Sequence, residues 1–232
     1  MAQQHTIQVI AHIRSDFHTK FGIPRQSGLV DALRATVVFE PEDRSPDALR
    51  GLEGFSHIWL IWQFSQAVRD GWSPTVRPPR LGGNTRMGVF ATRSPFRPNP
   101  IGLSCVALEG IQRHPEYCPV LLVRGADLMD GTPIYDVKPY LPYADCHPEA
   151  AGGFASQPKE PSLQVEIAPE LLAQVPEGLR EALLGVLAQD PRPQYQHRPD
   201  RVYGLEFGPL EVKFTVEGEL LTVRQVQDRR RG

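Results

Sequence analysis

The stretch Gly102–Lys138, GLSCVALEGIQRHPEYCPVLLVRGADLMDGTPIYDVK, decides the fold. Three runs within it, Gly102–Glu109, Val120–Arg124 and Ile134–Lys138, are short and apolar. Turn residues separate them, which is the pattern of strands joined by loops. Working outward, Ile7–Arg14 sets Ile7, Val9, Ala11 and Ile13 on one side with a period of two. Ala35–Glu40 is β-branched and short, Ser56–Phe64 is an aromatic, apolar run, and Arg86–Thr92 reads as a further strand. Few helical patterns fall between them, so the spacing predicts a closed or nearly closed β-barrel over residues 1–150. Small residues, Gly and Pro mark a linker over 151–161. Residues 162–232 read as a small α+β domain. It has a strand over Leu163–Ala168 and a helix over Glu177–Gln189, with Leu179, Leu183, Val186 and Leu187 on one face. Strands follow at Tyr203–Phe207, Leu210–Val216 and Leu220–Val226, with Glu217-Gly218 as a hairpin turn. Arg229–Arg231 reads as a frayed basic tail. The expected class is mainly β.

The 232 residues carry a formal net charge of −2, with 41% hydrophobic and 22% charged residues, ordinary values for a globular chain. No apolar run reaches transmembrane length. The N-terminus lacks a basic stretch followed by a long apolar one, so no secretory signal is expected and the protein reads as cytoplasmic. Cys105, Cys118 and Cys146 are odd in number and widely spaced, giving neither a disulfide framework nor a zinc pattern. The seven histidines show no metal spacing, and His57, in mid-strand, reads as structural. A dinucleotide fingerprint, a P-loop and a G-x-S-x-G elbow are all missing.

Three loops stand out. One is GIPRQSGL, Gly22–Leu29. Another is VRPPRLGGNTRMGVFATRSPFRPNPIG, Val76–Gly102, which sets Arg77, Arg80, Arg86, Arg93 and Arg97 among prolines and glycines. No acid occurs between Asp70 and Glu109. Guanidinium groups match carboxylates and phosphates bidentately, so the segment reads as an anion grip or as a solvated basic loop. The net charge speaks against indiscriminate nucleic-acid binding, yet a local basic face suffices for a specific RNA. The third loop is GADLMDGTPIYDVKPYLPY, Gly125–Tyr143. Its Asp130-Gly131-Thr132-Pro133 core reads alone as a turn.

Together, KFGIPRQSGLV (Lys20–Val30), LEGFSHIWLI (Leu52–Ile61), Val76–Ser104 and DLMDGTPIYDVKPYLPYAD (Asp127–Asp145) resemble the TsaA/TrmO family. These are the S-adenosylmethionine-dependent tRNA adenine N6-methyltransferases. The resemblance covers essentially Ile7–Asp145, and LAQDPRPQY (Leu187–Tyr195) resembles the bacterial C-terminal segment. It implies a β-barrel methyltransferase, unlike the usual Rossmann-type enzymes, that works as a homodimer. The implied cofactor is S-adenosyl-L-methionine, and the implied substrate is N6-threonylcarbamoyladenosine beside the anticodon of certain tRNAs. Neither a membrane nor DNA is an implied partner.

The resemblance places cofactor contacts at Arg25, Gln26, Ser27, Ser65, Gln66, Arg93 and Leu103. At Ser65 many relatives carry histidine. Asp127 and Asp130 suit the cationic end of the cofactor, and backbone at Leu128 and Met129 suits its adenine. Arg77, Arg80, Arg86 and Arg97 suit the threonyl carboxylate and tRNA phosphates. Asp130, Asp136 and Tyr143 are alternative proton acceptors, and Lys138 is placed to stabilise charge on the carbamoyl oxygen. Phe96 and Trp72 read either as stacking faces for bases or as barrel plugs. Asp190-Pro191-Arg192-Pro193 reads as a connector or as a flap bringing Arg192 to the substrate. A different class, a non-catalytic barrel that binds a nucleotide and regulates a partner, stays open at this level.

Overall fold

The computed structural model describes residues 3–68, 71–156, 163–192, 198 and 200–231. In chain order the strands are β1 (Ala11–Arg14), β2 (Arg34–Phe39), β3 (His57–Gln63), β4 (Thr75–Val76), β5 (Met87–Gly88), β6 (Ile101–Gln112), β7 (Val120–Arg124) and β8 (Pro133–Pro139). In the C-terminal part they are β9 (Gln164–Glu166), β10 (Tyr203–Phe207), β11 (Leu210–Glu217) and β12 (Leu220–Asp228). The helices are α1 (Pro142–Asp145), α2 (Pro169–Leu172) and α3 (Glu177–Ala188). The expected mainly β class, barrel plus small α+β domain, is what the chain adopts.

Six strands close a barrel in the order β1-β2-β7-β6-β3-β8. Closure joins β8 back to β1 in antiparallel register, Ala11 opposite Ile134 and His12 opposite Pro133. A closed barrel has no free edge, so these backbone groups are paired without capping devices. Alternation decides what fills it. Ile58, Leu60 and Trp62 of β3 point inward and are buried, with Ile13, Val37, Val106, Val123 and Ile134 from other strands. Trp62 is seated by two neighbours on β6. Its Nε1 donates to the buried Ser104 Oγ at 3.0 Å. Its ring lies where a Cβ on Gly102 would come within 2.3 Å of Cε2, so only glycine fits beside it.

One expected barrel strand does not form. Of Arg86–Thr92, only Met87 and Gly88 pair, with Val76 and Thr75, in a separate two-stranded ribbon. The chain then turns through a 3-10 helix at Val89–Ala91, where Thr92 Oγ1 donates back to the Val89 carbonyl at 2.8 Å. A local side-chain bond of that kind competes with strand pairing. At the N-terminus the strand is confined to Ala11–Arg14, shorter than its period-two pattern.

Grouped by backbone proximity, the chain forms two compact units that are not contiguous blocks of sequence. One is Met1–Arg14, Thr36–Val123 and Gly131–Gln157, and it contains most of the barrel. The other is Ser15–Ala35, Arg124–Asp130 and Pro158–Gly232. The second unit, the loop unit, has its own sheet, β10-β11-β12-β9, in which β9 runs parallel to β12. The β11–β12 hairpin has Glu217 opposite Leu220, with Gly218 at φ +59° as the first turn residue. Ala182, Leu183, Val186 and Leu187 bury one face of α3, and Leu179 packs partly buried against the same core. That core also holds Phe17, Val30 and Leu33 together with Leu205, Phe207, Val212 and Phe214. The Ser15–Ala35 segment is thus packed into the core of the C-terminal sheet. The basic tail is ordered rather than frayed: Arg229 Nη1 bonds Glu206 Oε2 at 2.7 Å, and Arg229 N donates to the Pro209 carbonyl at 2.8 Å. The expected linker lies partly outside the described residues, which resume at Leu163.

Gly102→Ala is expected to lower the melting temperature by about 2–10 °C, as overpacking costs of about 1–3 kcal/mol do in chains of this size. Differential scanning calorimetry reads it. A second outcome concerns Asp16, whose carboxyl is pushed above the usual carboxylate range, first by burial and further by Asp130, against the lowering influence of His18. A raised folded value favours the protonated fold, so this stability is present at acid pH and lost as pH rises through the folded value. Asp16→Asn should therefore raise the melting temperature at pH 7 and leave it nearly unchanged at about pH 4, as thermal scans at the two pH values read.

Candidate active site

The loop unit holds one group of the expected residues. Its foundation is a close approach of two backbones. Gly28 N donates to the Gly125 carbonyl at 2.9 Å, and Gly125 N donates to the Leu33 carbonyl at 2.7 Å. Both glycines have φ +77°, and a Cβ on Gly125 would sit 3.3 Å from the Gly28 backbone. Glycine is the residue for that conformation and that proximity. The contact binds the Arg25-Gln26-Ser27 loop to the Asp127–Asp130 loop. Gln26 Nε2 folds back onto the Arg25 carbonyl.

The Asp127–Asp130 loop is fixed at its ends. Leu128 is 1% exposed, and its carbonyl accepts from Ser15 Oγ at 2.8 Å. Asp130 N donates to the Phe17 carbonyl at 2.8 Å, while Asp130 Oδ1 accepts from Ser15 N at 3.1 Å. Asp130 is thus part of the loop's frame. Ser15, which its sequence neighbourhood did not single out, frames this loop. The visible signal was a Ser-Asp pair directly after a strand, a common turn signature. Arg192, expected at the substrate, grips Asp190 at two points, Nε to Oδ1 at 2.8 Å and Nη2 to Oδ2 at 3.0 Å. That bond raises the arginine above its ordinary value, and both side chains are largely buried. Asp190 takes φ +54° in doing so. Pro193, the end of the proposed flap, lies outside the described residues.

The barrel unit holds a second group. Register puts Ile61 of β3 between Leu103 of β6 and Asp136 of β8. These three residues form one outward row, the face opposite Trp62. The next row carries Cys105, Trp59 and Lys138. Lys138 Nζ meets Asp136 Oδ2 at 2.7 Å, and Asp136 Oδ1 also accepts from Val137 N at 2.9 Å. Two of the four catalytic candidates are therefore ion-paired between adjacent rows, Asp136 on the row of Leu103 and Lys138 on the next. Tyr143 is 86% exposed in α1. Below it, Asp145 accepts from Leu141 N at 2.8 Å and from Trp59 Nε1 at 3.0 Å, bonds that hold its carboxyl below the usual range. Ser65 and Gln66 follow β3 directly, in a 3-10 turn. Phe64 N donates to the Pro100 carbonyl at 2.8 Å, which ties that turn to the end of the arginine segment.

The arginine segment is a short ribbon closed by turns. Strands β4 and β5 pair only two residues each. Stiffness comes from a 3-10 turn at Pro79–Leu81 with Gly82 at φ +72°, and from serial hydroxyl turns beyond it. Ser94 N donates to Thr92 Oγ1 at 3.2 Å and Phe96 N to Ser94 Oγ at 3.3 Å. Arg77, Arg80, Arg86 and Arg93 are exposed. Arg97 is half-buried, and its Nη1 donates to the Thr92 carbonyl at 3.1 Å. Trp72 and Phe96 are 49% and 37% exposed, so neither plugs the barrel. Trp72 instead lies beside Phe90, which is 71% exposed, with ring centroids 5.8 Å apart. Phe90 went unnoticed in sequence because it sat inside the expected strand Arg86–Thr92.

No group of His, Cys, Asp and Glu among the described residues could hold a metal. No described helix is long and apolar enough to cross a membrane. The donor set suits a cationic organic cofactor: two acids in a loop with pinned peptides, on a unit separate from the acid-free arginines.

Comparison with known proteins agrees. Residues 12–146 match the model of the tRNA-methyltransferase O N-terminal domain, and residues 160–229 match that of the TrmO C-terminal domain. The chain is 45% identical over 194 residues to a tRNA (adenine(37)-N6)-methyltransferase of Escherichia coli, covering 81% of this chain and 82% of that one. It is 50% identical over 173 residues to a protein of the same name from Eikenella corrodens, covering 74% and 97%. The crystal structure of TrmO from Pseudomonas aeruginosa superposes with a TM-score of 0.80 at 36% identity, over 97% of this chain and 99% of that one. With both domain models matched along its length, the chain belongs to the tRNA-methyltransferase O family.

Proposed function

We infer that this chain transfers a methyl group from S-adenosyl-L-methionine to N6 of threonylcarbamoyladenosine beside the anticodon of tRNA. The observation that carries this reading is the arginine ribbon, five cations on stiff turns with no acid in the segment, in a chain of a tRNA-methyltransferase family. The cofactor, when bound, would supply an electrophilic methyl from its sulfonium to N6, and a base of the chain would take the N6 proton.

Everything else falls to the chain's own residues. Cofactor contacts are assigned to Arg25, Gln26, Ser27 and Asp127–Asp130 in the loop unit, and to Ser65, Gln66, Arg93 and Leu103 in the barrel unit. Asp127 and Asp130 give their loop the negative charge that a sulfonium favours. Arg77, Arg80 and Arg86 are assigned to phosphates and the threonyl carboxylate, with Arg97 anchoring the turn that carries Phe96. An anticodon loop is single-stranded, so presenting its base requires little unpairing, and Trp72 and Phe96 offer stacking faces. Arg192 is assigned to positioning, through Asp190.

Among the proton acceptors, Asp136 fits best. It stands on the outward row of Leu103, whereas Asp130 is built into the cofactor loop and Tyr143 lies in α1, outside the barrel strands. Lys138, paired to Asp136, stabilises charge on the carbamoyl oxygen. Alignment of N6 with the methyl group accounts for much of the rate, roughly 7–11 kcal/mol in well-oriented reactions. The protein is assigned to the cytoplasm and to a homodimer on family grounds.

Incubation with labelled cofactor tests the reaction: label should enter tRNA bearing threonylcarbamoyladenosine and not tRNA lacking it, and equal labelling of both would overturn the substrate assignment. Arg86→Ala should raise KM for tRNA about tenfold and leave cofactor affinity within about twofold, and each lost phosphate contact should flatten the salt dependence by about 0.7 in log–log slope. Asp136→Asn should lower kcat by about 100-fold or more, in the range of lost general-base catalysis. Tyr143→Phe should keep kcat within about threefold, and steady-state assays at saturating cofactor separate the two.

A further inference from the structure

The family matches leave open what the C-terminal sheet does for the Ser15–Ala35 segment that shares its core, and for the Asp127–Asp130 loop bonded to that segment. Several contacts within the loop unit bear on it. Ser15 sits at the centre. Its Oγ donates to the Leu128 carbonyl at 2.8 Å and accepts from Phe17 N at 3.4 Å, and its amide donates to Asp130 Oδ1 at 3.1 Å. One residue thus holds both ends of the Leu128–Asp130 stretch, so the peptide planes between them have a fixed orientation.

Ser15 is itself held from the other side. Gly208 N, in the turn between β10 and β11, donates to the Asp16 carbonyl at 2.7 Å, and His18 Nε2 donates to the Gly208 carbonyl at 3.2 Å. Phe17, 1% exposed, meets Phe207 edge-on with centroids 5.5 Å apart. The fit at the turn is close. Gly208 has φ +53°, and a Cβ there would sit 2.8 Å from Asp16 Oδ1. The turn is backed in its own sheet by Arg229, which bonds Glu206 and the Pro209 carbonyl.

We propose that Ser15 is the positioning residue of the cofactor loop, and that the Phe207–Leu210 turn of the C-terminal sheet holds Ser15 in register with it. The C-terminal sheet then acts on catalysis through cofactor affinity. This rests on the assignment of Asp127–Asp130 to the cofactor. The geometry explains why serine stands at position 15: a hydroxyl both accepts from Phe17 N and donates to Leu128, which alanine cannot do. Threonine keeps that hydroxyl.

The test uses the full-length chain with Ser15→Ala, Ser15→Thr and Gly208→Ala. Two readouts are needed, amide hydrogen exchange at Leu128–Asp130 and affinity for S-adenosyl-L-methionine by titration calorimetry. Ser15→Ala should speed exchange at the Asp130 amide about tenfold and weaken cofactor binding about tenfold, as loss of one or two well-formed bonds does. At saturating cofactor its kcat and its KM for tRNA should stay within about threefold of the parent. Ser15→Thr should restore binding. Gly208→Ala, in the C-terminal sheet, should weaken cofactor binding in the same direction. Unchanged exchange in Ser15→Ala would overturn the proposal directly. A fall in kcat and melting temperature with unchanged cofactor affinity in Gly208→Ala would reduce the turn to a structural part and overturn it too. Faster exchange with unchanged affinity in Ser15→Ala would instead remove Asp127–Asp130 from the cofactor site, and the proposal would fall with that assignment.

Discussion

Closure of the barrel between β1 and β8 is the constraint on which the other arrangements depend. The closing strands are far apart in sequence, yet they are joined by Ile10 N to the Ile134 carbonyl at 2.9 Å, Ile13 N to Thr132 at 3.1 Å and Gly131 N to Ile13 at 2.8 Å. Loop-closure entropy grows only slowly with length, so one hydrogen-bonded seam can hold such distant segments. The seam also fixes where the chain leaves β1 and where it enters β8. Ser15 follows β1 and Asp130 precedes β8 by sequence alone, so both segments start from fixed stems. A slip of one residue in β8 would turn Ile134 outward and Asp136 inward, burying a carboxylate.

How much of this is legible in the residues depends on the range of the interaction. Val120–Arg124 and Tyr203–Phe207 match their strands residue for residue, because alternation and flanking turns are local signals. The helix over Glu177–Ala188 is legible for the same reason. Arg86–Thr92 misleads because its residues have strand propensity, while the Thr92 hydroxyl and Gly88 draw the backbone into a turn. The Ser15–Asp130 bond spans 115 residues and Trp62–Ser104 spans 42, so composition and periodicity carry no trace of either. Conversely the acid-free arginines are visible at once, since charge needs no fold to be counted. The resemblance identified the loops; it did not reveal that Asp130 is a framing residue, that Asp136 and Lys138 are paired, or that Phe90 joins Trp72.

The arginine ribbon shows why several weak contacts are grouped. An exposed ion pair contributes about 0–1 kcal/mol, so a single surface arginine cannot hold an RNA. Five together, without competing carboxylates in the segment, give an additive field and a steep salt dependence. The ribbon has little pairing of its own, only Thr75 with Gly88 and Val76 with Met87. Prolines restrict φ before any partner arrives, and hydroxyl turns through Thr92 and Ser94 restrict it further. Less ordering entropy is then lost on binding, which is where such a segment gains affinity without additional contacts.

The loop unit solves a different problem. A loop of four residues, Asp127–Asp130, cannot bury enough surface to order itself. It is ordered by attachment: Leu128 is buried, both ends are bonded to Ser15–Phe17, and Phe17 belongs to the core built from α3 and the C-terminal sheet. Local opening free energy follows the element to which a segment is tied, so a loop bonded into that core inherits stability that its own length denies it. The same attachment makes the loop's geometry sensitive to substitutions in the sheet, since glycine at 208 leaves no slack against Asp16. Order in the loop and dependence on the C-terminal sheet are therefore one physical fact seen from two ends, and a sequence reader sees neither, because the residues that meet lie on opposite sides of the barrel's coding segment.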